Sequence, residues 1–271
     1  MPSLTPTRVA IAGLGAIGRA VAKKLDAGMV GLQLTAVSAR DQARAADFVA
    51  TLNRKVPVLA NAALSTLADV IIECAPAAVL EEIAAPALRA GKTVFVLSCG
   101  ALLQASHLID LAREHGGQIV VPTGALLGLD AITAAAEGEI QSVRMVTRKP
   151  VKGLAGAPYL VANNIDIDSI RAPLKVFSGT AREAAVGFPA NLNVAVAVSL
   201  AGIGPDRTTL EIWADPTLTR NVHQVEVEAD SARFTMSIEN IPSENPKTGR
   251  ITALSVIAAL RKLGSPLRVG T

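Results

Sequence analysis

Two periodicities divide the chain. Up to about residue 125, short and nearly continuous apolar runs alternate with segments whose apolar positions recur every three or four residues. "RVAIAGLG", "LQLTAVSAR", "ADVIIECAP", "KTVFVLSCG" and "QIVVPTG" read as strands buried on both faces. Between them, "AIGRAVAKKLDAG", "DQARAADFVATLN", "AVLEEIAAPALRAG" and "LLQASHLIDLAREHGG" read as helices. Buried strands alternating with helices predict a doubly wound parallel sheet. Further on, a period of two takes over in "EIQSVRMVTRKP", "TTLEIWAD", "NVHQVEVEA" and "RFTMSIEN", which predicts a mixed or antiparallel sheet. "TAREAAVGFP" and "NLNVAVAVSLAGIG" are helix candidates among these strands, and the last stretch carries a helix beginning near Thr248. The expected architecture is an α/β chain of two domains, 1–125 and 126–245, with a C-terminal helix in 246–271 packing back on the first.

One strand breaks its own pattern. In "NVHQVEVEA", Val225, Val227 and Ala229 share a face, and His223 has their parity rather than that of Gln224, Glu226 and Glu228. An inward histidine is either a satisfied core residue or a proton carrier facing a pocket. The chain has only three histidines, so the choice matters.

Composition narrows the classes. A net charge of +3 lies behind the pI of 9.0, with no basic run and 3% aromatics. Nucleic-acid binding is therefore not expected. No apolar run is long enough for a bilayer, and "MPSLTPTRVAIAG" lacks the order of a signal peptide, so a cytoplasmic setting without membrane partners is expected. Cys74 and Cys99 have neither metal-ligand nor disulfide-framework spacing, and no metal site is expected.

The chemistry begins at "GLGAIG". Gly13, Gly15 and Gly18 have the G-x-G-x-x-G spacing, directly after a strand and opening a helix through Ala16 and Ile17. There the glycines give a tight turn, backbone approach to a pyrophosphate and close helix–strand packing, which makes residues 1–125 a dinucleotide-binding domain. At the end of the second strand, "VSARD" offers Ser38 and Arg40 to an extra ribose phosphate, which favours NADP alongside NAD. Arg40 as a solvated loop residue and Asp41 as a helix cap is the equal alternative. Ala75, Pro76, Ser98 and Gly100 stand at strand ends where ligands collect in such sheets. "PTGALLGLDAI" forms a glycine-rich turn at residues 123–126, either a nicotinamide contact or an interdomain hinge. Thr147, Arg148 and Lys149 end a strand where cations can grip a carboxylate, with at least one of them expected to be a plain surface charge. Asn191 and Asn193 open an apolar helix and can cap it or bind a carboxamide. Lys247 lies in a polar turn before the last helix.

"GLGAIG", "TGALLGLDA", "TRKP", "EAAVGFPANLNVA", "NVHQVEV" and "NPKTG" occur in this order and together resemble the L-aspartate dehydrogenase family over nearly the whole chain. The resemblance implies a Rossmann domain and a second α+β domain for substrate binding and oligomerisation, with NAD or NADP as cofactor. It implies interconversion of L-aspartate with oxaloacetate and ammonia through iminoaspartate. The family's active-site histidine falls on His223, its cofactor-contacting alanine on Ala125, and its cofactor-contacting asparagine on Asn193 or Asn191. Thr147, Lys149 and Lys247 are the cationic and polar candidates for the dicarboxylate. Thr123 replaces a familiar serine, and "SAR" leaves cofactor preference open. A homodimer is expected, built to cover apolar sheet surface in the second domain. The rival readings are a related reductase of a cyclic imine or semialdehyde, as in dihydrodipicolinate reductase, and a dinucleotide-binding module without catalysis.

Overall fold

The computed structural model describes residues 5–189, 192–243 and 249–270. They fall into two compact units: the first ends at Pro122 and takes back Ala253–Arg268, and the second covers Thr123–Thr252.

In the first unit, β1 (Thr7–Ala12), β2 (Leu32–Ser38), β3 (Val70–Glu73), β4 (Thr93–Val96) and β5 (Gln118–Val120) form a parallel sheet in the order β2-β1-β3-β4-β5. Every residue of β3 is buried, as is β1 from Val9 onward, because helices cover both faces. The helix Ala16–Asp26 turns Gly18, Val21, Ala22 and Leu25 to the sheet and carries Lys23 and Lys24 in its last turn, where cations suit the dipole. The helix Arg250–Gly264 has about the four turns that the sequence suggests, and it plants Val256 and Leu260 in the same core as Val21, Leu25 and Phe48. The single long helix expected after β4 is instead a 3-10 turn, Cys99–Leu103, followed by the helix His107–His115. A three-residue bond from Ala101 N to Ser98 O (2.8 Å) replaces the four-residue helical one there.

The second unit is a mixed sheet in the order β10-β9-β6-β8-β7, with β6 (Ile140–Lys149), β7 (Leu174–Thr180), β8 (Thr208–Ala214), β9 (Asn221–Ala229) and β10 (Arg233–Asn240). Only the β6–β8 pair is parallel. Edge strand β7 was not anticipated from the sequence, since the buried residues of "LKVFSGT", Val176 and Phe177, are adjacent and do not alternate. One face packs Met145, Leu210, Ile212, Val225 and Val227 against helices that include Leu129–Ala135, Ala181–Gly187 and Asn193–Ala201. The helix Ala181–Gly187 starts with a capping box between Thr180 and Glu183.

The opposite face corrects the expectation of an apolar sheet surface. Arg144 pairs with Glu211 and Glu226, while Arg148 and Lys175 lie over the Trp213 ring. Among the described residues no helix is long and apolar enough to cross a membrane.

The tightest approach in the first unit is at Gly18. A Cβ there would stand 1.9 Å from the Gly13 carbonyl oxygen, which is backbone and cannot swing away. Gly18→Ala should therefore cost about 1–3 kcal/mol through overpacking. Thermal denaturation reads this directly, and an unchanged Tm would show that the helix can shift to make room.

Candidate functional site

The glycine loop is built for an anion. Gly13 holds φ +95, with its amide donating to Ser38 O (2.8 Å), and a Cβ on it would collide with the backbone of Cys74 and Ala75. Gly15 is the N-cap of the following helix with no side-chain cap, and no acidic residue stands in the first turn. A Cβ on Gly15 would meet nothing within 4 Å, so space lies open above free helix amides. Those features fit the pyrophosphate of a dinucleotide. Ala16 is exposed beside them, while Ile17 is half-buried and packs on the core.

Ser38 ends β2, as expected, but its hydroxyl is already engaged. Its side chain is buried and donates to Asn61 Oδ1 at 2.6 Å, so its part is to brace the loop, through its carbonyl on Gly13, rather than to offer a hydroxyl to a phosphate. Arg40 is exposed at the same strand end, and Asp41 is spent as a helix cap on Arg44 N (3.0 Å). Ala75 and Pro76 form the turn after β3, and Ser98 and Gly100 the turn after β4. Both turns are tied to Glu73, a fully buried carboxylate that the sequence reading passed over.

In the second unit, strand pairing gathers polar groups at one end of the buried face. Thr147 of β6 lies opposite His223 of β9, and Asn221 lies opposite Asn240 of β10. Lys149 shares the face with Thr147, two residues along. All five are buried: Thr147 is 0% exposed, and Lys149, His223 and Asn240 are each 3%. His223 is thus buried in polar company rather than in an apolar core. Thr147 Oγ1 and His223 Nδ1 share a hydrogen bond of 3.2 Å. Burial, and then the Lys149 charge, depress the imidazole pKa to about 3, so the ring is neutral at ordinary pH. Gly153, in the short helix Val151–Leu154, sits over Lys149 and Asn221.

Ala125 belongs to the same unit. Its carbonyl accepts from Asn240 Nδ2 at 2.7 Å, and Gly128 packs so tightly on Met236 that a Cβ would stand 1.9 Å from Sδ. The turn is therefore fastened to β10 at two points. Asn193 is exposed at the first turn of its helix. Asn191 and Lys247 lie outside the described residues. Arg148, on the opposite parity, turns to the outer face and Trp213, as one of the three strand-end residues was expected to do. Asn221 and Asn240 were missed, although each has the parity of the apolar residues in its own strand, the signal that singled out His223.

Known proteins resemble the chain over most of its length. Residues 130–263 match the family described as "Aspartate dehydrogenase, C-terminal", and residues 13–122 match "Homoserine dehydrogenase, NAD binding domain". The chain is 64% identical to an L-aspartate dehydrogenase of Bradyrhizobium diazoefficiens over 264 residues, 97% of this chain and 94% of that protein. It is 60% identical to L-aspartate dehydrogenase 3 of Bordetella bronchiseptica over 272 residues, the full length of both. The crystal structure of an aspartate dehydrogenase from Thermotoga maritima shares the fold, with a TM-score of 0.73 at 22% identity over 97% of this chain and 99% of that one.

The charge arrangement has a measurable consequence. A folded-state pKa of about 3, below the ordinary value near 6.5, means His223 contributes stability above about pH 6.5 that is lost as pH falls toward 3. Lys149→Met removes the neighbouring charge but not the burial, so the imidazole pKa should rise and remain below 6.5. An NMR titration of the His223 ring resonances tests this, and a pKa that does not rise would remove Lys149 as its neighbour.

Proposed function

Because the chain belongs to the L-aspartate dehydrogenase family, we infer that Thr147, Lys149 and His223 form the place where its substrate is held and its protons are moved. The chain is an NAD- or NADP-dependent oxidoreductase acting on the CH–NH2 group, interconverting L-aspartate with oxaloacetate and ammonia. The observation that carries the site reading is the neutral, buried imidazole of His223, bonded to Thr147 beside a buried lysine.

The roles follow from charge. NAD or NADP, when bound, would supply the hydride acceptor for C2 of aspartate and the hydride donor for the imine. Lys149 offers a desolvated cation to one carboxylate of the substrate. Pairing with that carboxylate cancels much of the Lys149 field at His223, which lets the imidazole pKa climb toward the range where it exchanges protons. With Nδ1 engaged by Thr147, Nε2 is the ring nitrogen that trades protons. Water adding to the iminoaspartate carbon gives up a proton there, and the departing nitrogen takes one as ammonia leaves. In the reductive direction the same nitrogen returns the protons as ammonia adds and water is lost.

On the first unit, Gly13, Gly15, Ala16 and Gly18 receive the pyrophosphate, with Ala75, Pro76, Ser98 and Gly100 lining the rest of the cofactor's path and Arg40 at the adenosine end. Ala125 and Asn193, with Asn191, complete the cofactor contacts by family resemblance, and Lys247 is the further cation for the substrate. A homodimer free of membrane and nucleic acid, in the cytoplasm, is the assembly we propose.

Oxidation of NADH or NADPH should require oxaloacetate and ammonium together. Turnover without ammonium would indicate simple keto-acid reduction instead. His223→Ala should lower kcat by about 100-fold or more, the scale of lost general acid–base catalysis, while the Kd for cofactor stays near the parent value. Arg40→Ala should raise KM for NADP more than for NAD, and equal effects would take the phosphate contact from Arg40.

A further inference from the structure

Glu73 ends β3 with a side chain that is 0% exposed. Its Oε1 accepts from Ala75 N (2.9 Å), and its Oε2 accepts from Leu97 N (3.1 Å), Ser98 N (2.9 Å) and Ser98 Oγ (2.8 Å). All four donors are neutral, and three are backbone amides that a strand-end turn would otherwise leave free. Burial pushes the carboxyl pKa up while these donors pull it back. Only a carboxylate accepts on both arms; a carboxamide would set an N–H against an N–H on one of them. Glu73 therefore fixes the turn after β3 and the turn after β4 to each other.

Those turns stand in a definite place on the sheet. The end of β2 serves the adenosine ribose, and the glycine loop after β1 serves the pyrophosphate. In the order β2-β1-β3-β4 the remaining half of an extended dinucleotide passes over β3 and β4. The β3 turn also abuts the loop directly, since a Cβ on Gly13 would come within 2.6 Å of Cys74 O.

We propose that Glu73 is a positioning residue for the nicotinamide half of the cofactor, acting by clamping the backbone turns Cys74–Pro76 and Leu97–Ser98 in the shape that half requires. The proposal rests on the cofactor assignment of the first unit and is independent of the substrate site in the second.

Calorimetric titration of the full-length protein with NAD+ and, separately, with ADP tests it. ADP carries the adenosine and pyrophosphate portion alone. In Glu73→Gln the Kd for NAD+ should rise about tenfold, the scale of one or two lost charged hydrogen bonds, while the Kd for ADP stays within about twofold. Parallel weakening of both ligands would reduce Glu73 to a general support of the fold, and an unchanged Kd for NAD+ would remove any role; either result overturns the proposal. Should Glu73→Gln fail to fold, Ser98→Ala withdraws a single donor. It should weaken NAD+ several-fold and leave ADP alone, and equal affinities for NAD+ in parent and variant overturn the proposal equally.

Discussion

The register of β9 between β6 and β10 is the constraint on which the second unit depends. Side chains alternate along a strand, so a slip of one residue would carry Val225 and Val227 into solvent and turn His223 to the outer face. The apolar half of the strand thus locates the polar half. Thr147 meets His223 only because Met145 meets Val225 and Val143 meets Val227 in the same ladder, and Asn221 meets Asn240 only because Met236 meets Val225 and Phe234 meets Val227 in the other. Burying five polar residues at the end of an apolar sheet is costly unless they satisfy one another. The hydrophobic contacts further along supply the grip that holds them there.

The two units handle buried charge differently. In the first, the Glu73 carboxylate is met by neutral backbone donors and is thereby held still. In the second, a lysine and a neutral imidazole share a desolvated neighbourhood, and the imidazole answers to any change in the lysine's partner. The first arrangement is rigid by construction, whereas the second is responsive.

Much of this was legible in the sequence because it rests on local pattern. Alternating apolar runs marked nine of the strands, the spacing of Gly13, Gly15 and Gly18 located the anion loop, and the parity of His223 announced its burial. What escaped depended on partners distant in the chain. Ser38 was read as a ligand contact because nothing nearby shows Asn61 waiting for its hydroxyl. Glu73 was read as the end of a strand, since its four donors come from residues two and about 25 positions away. Strand β7 escaped because its two buried residues, Val176 and Phe177, are adjacent and give no period of two. Asn221 and Asn240 were in principle visible, for each carries the same parity signal as the histidine.

The fastening of the residue 123–128 turn to β10 has one more consequence. The main stretch of the second unit runs from Thr123 to Thr252. Its entry turn bonds to Asn240, while on its exit side Gly249 packs on the same asparagine and Arg250 N donates to Ile241 O at 2.9 Å. The two ends of the unit therefore adjoin at a single strand tip, as they do in an inserted domain. A module with adjoining ends can be exchanged for another without spanning a gap.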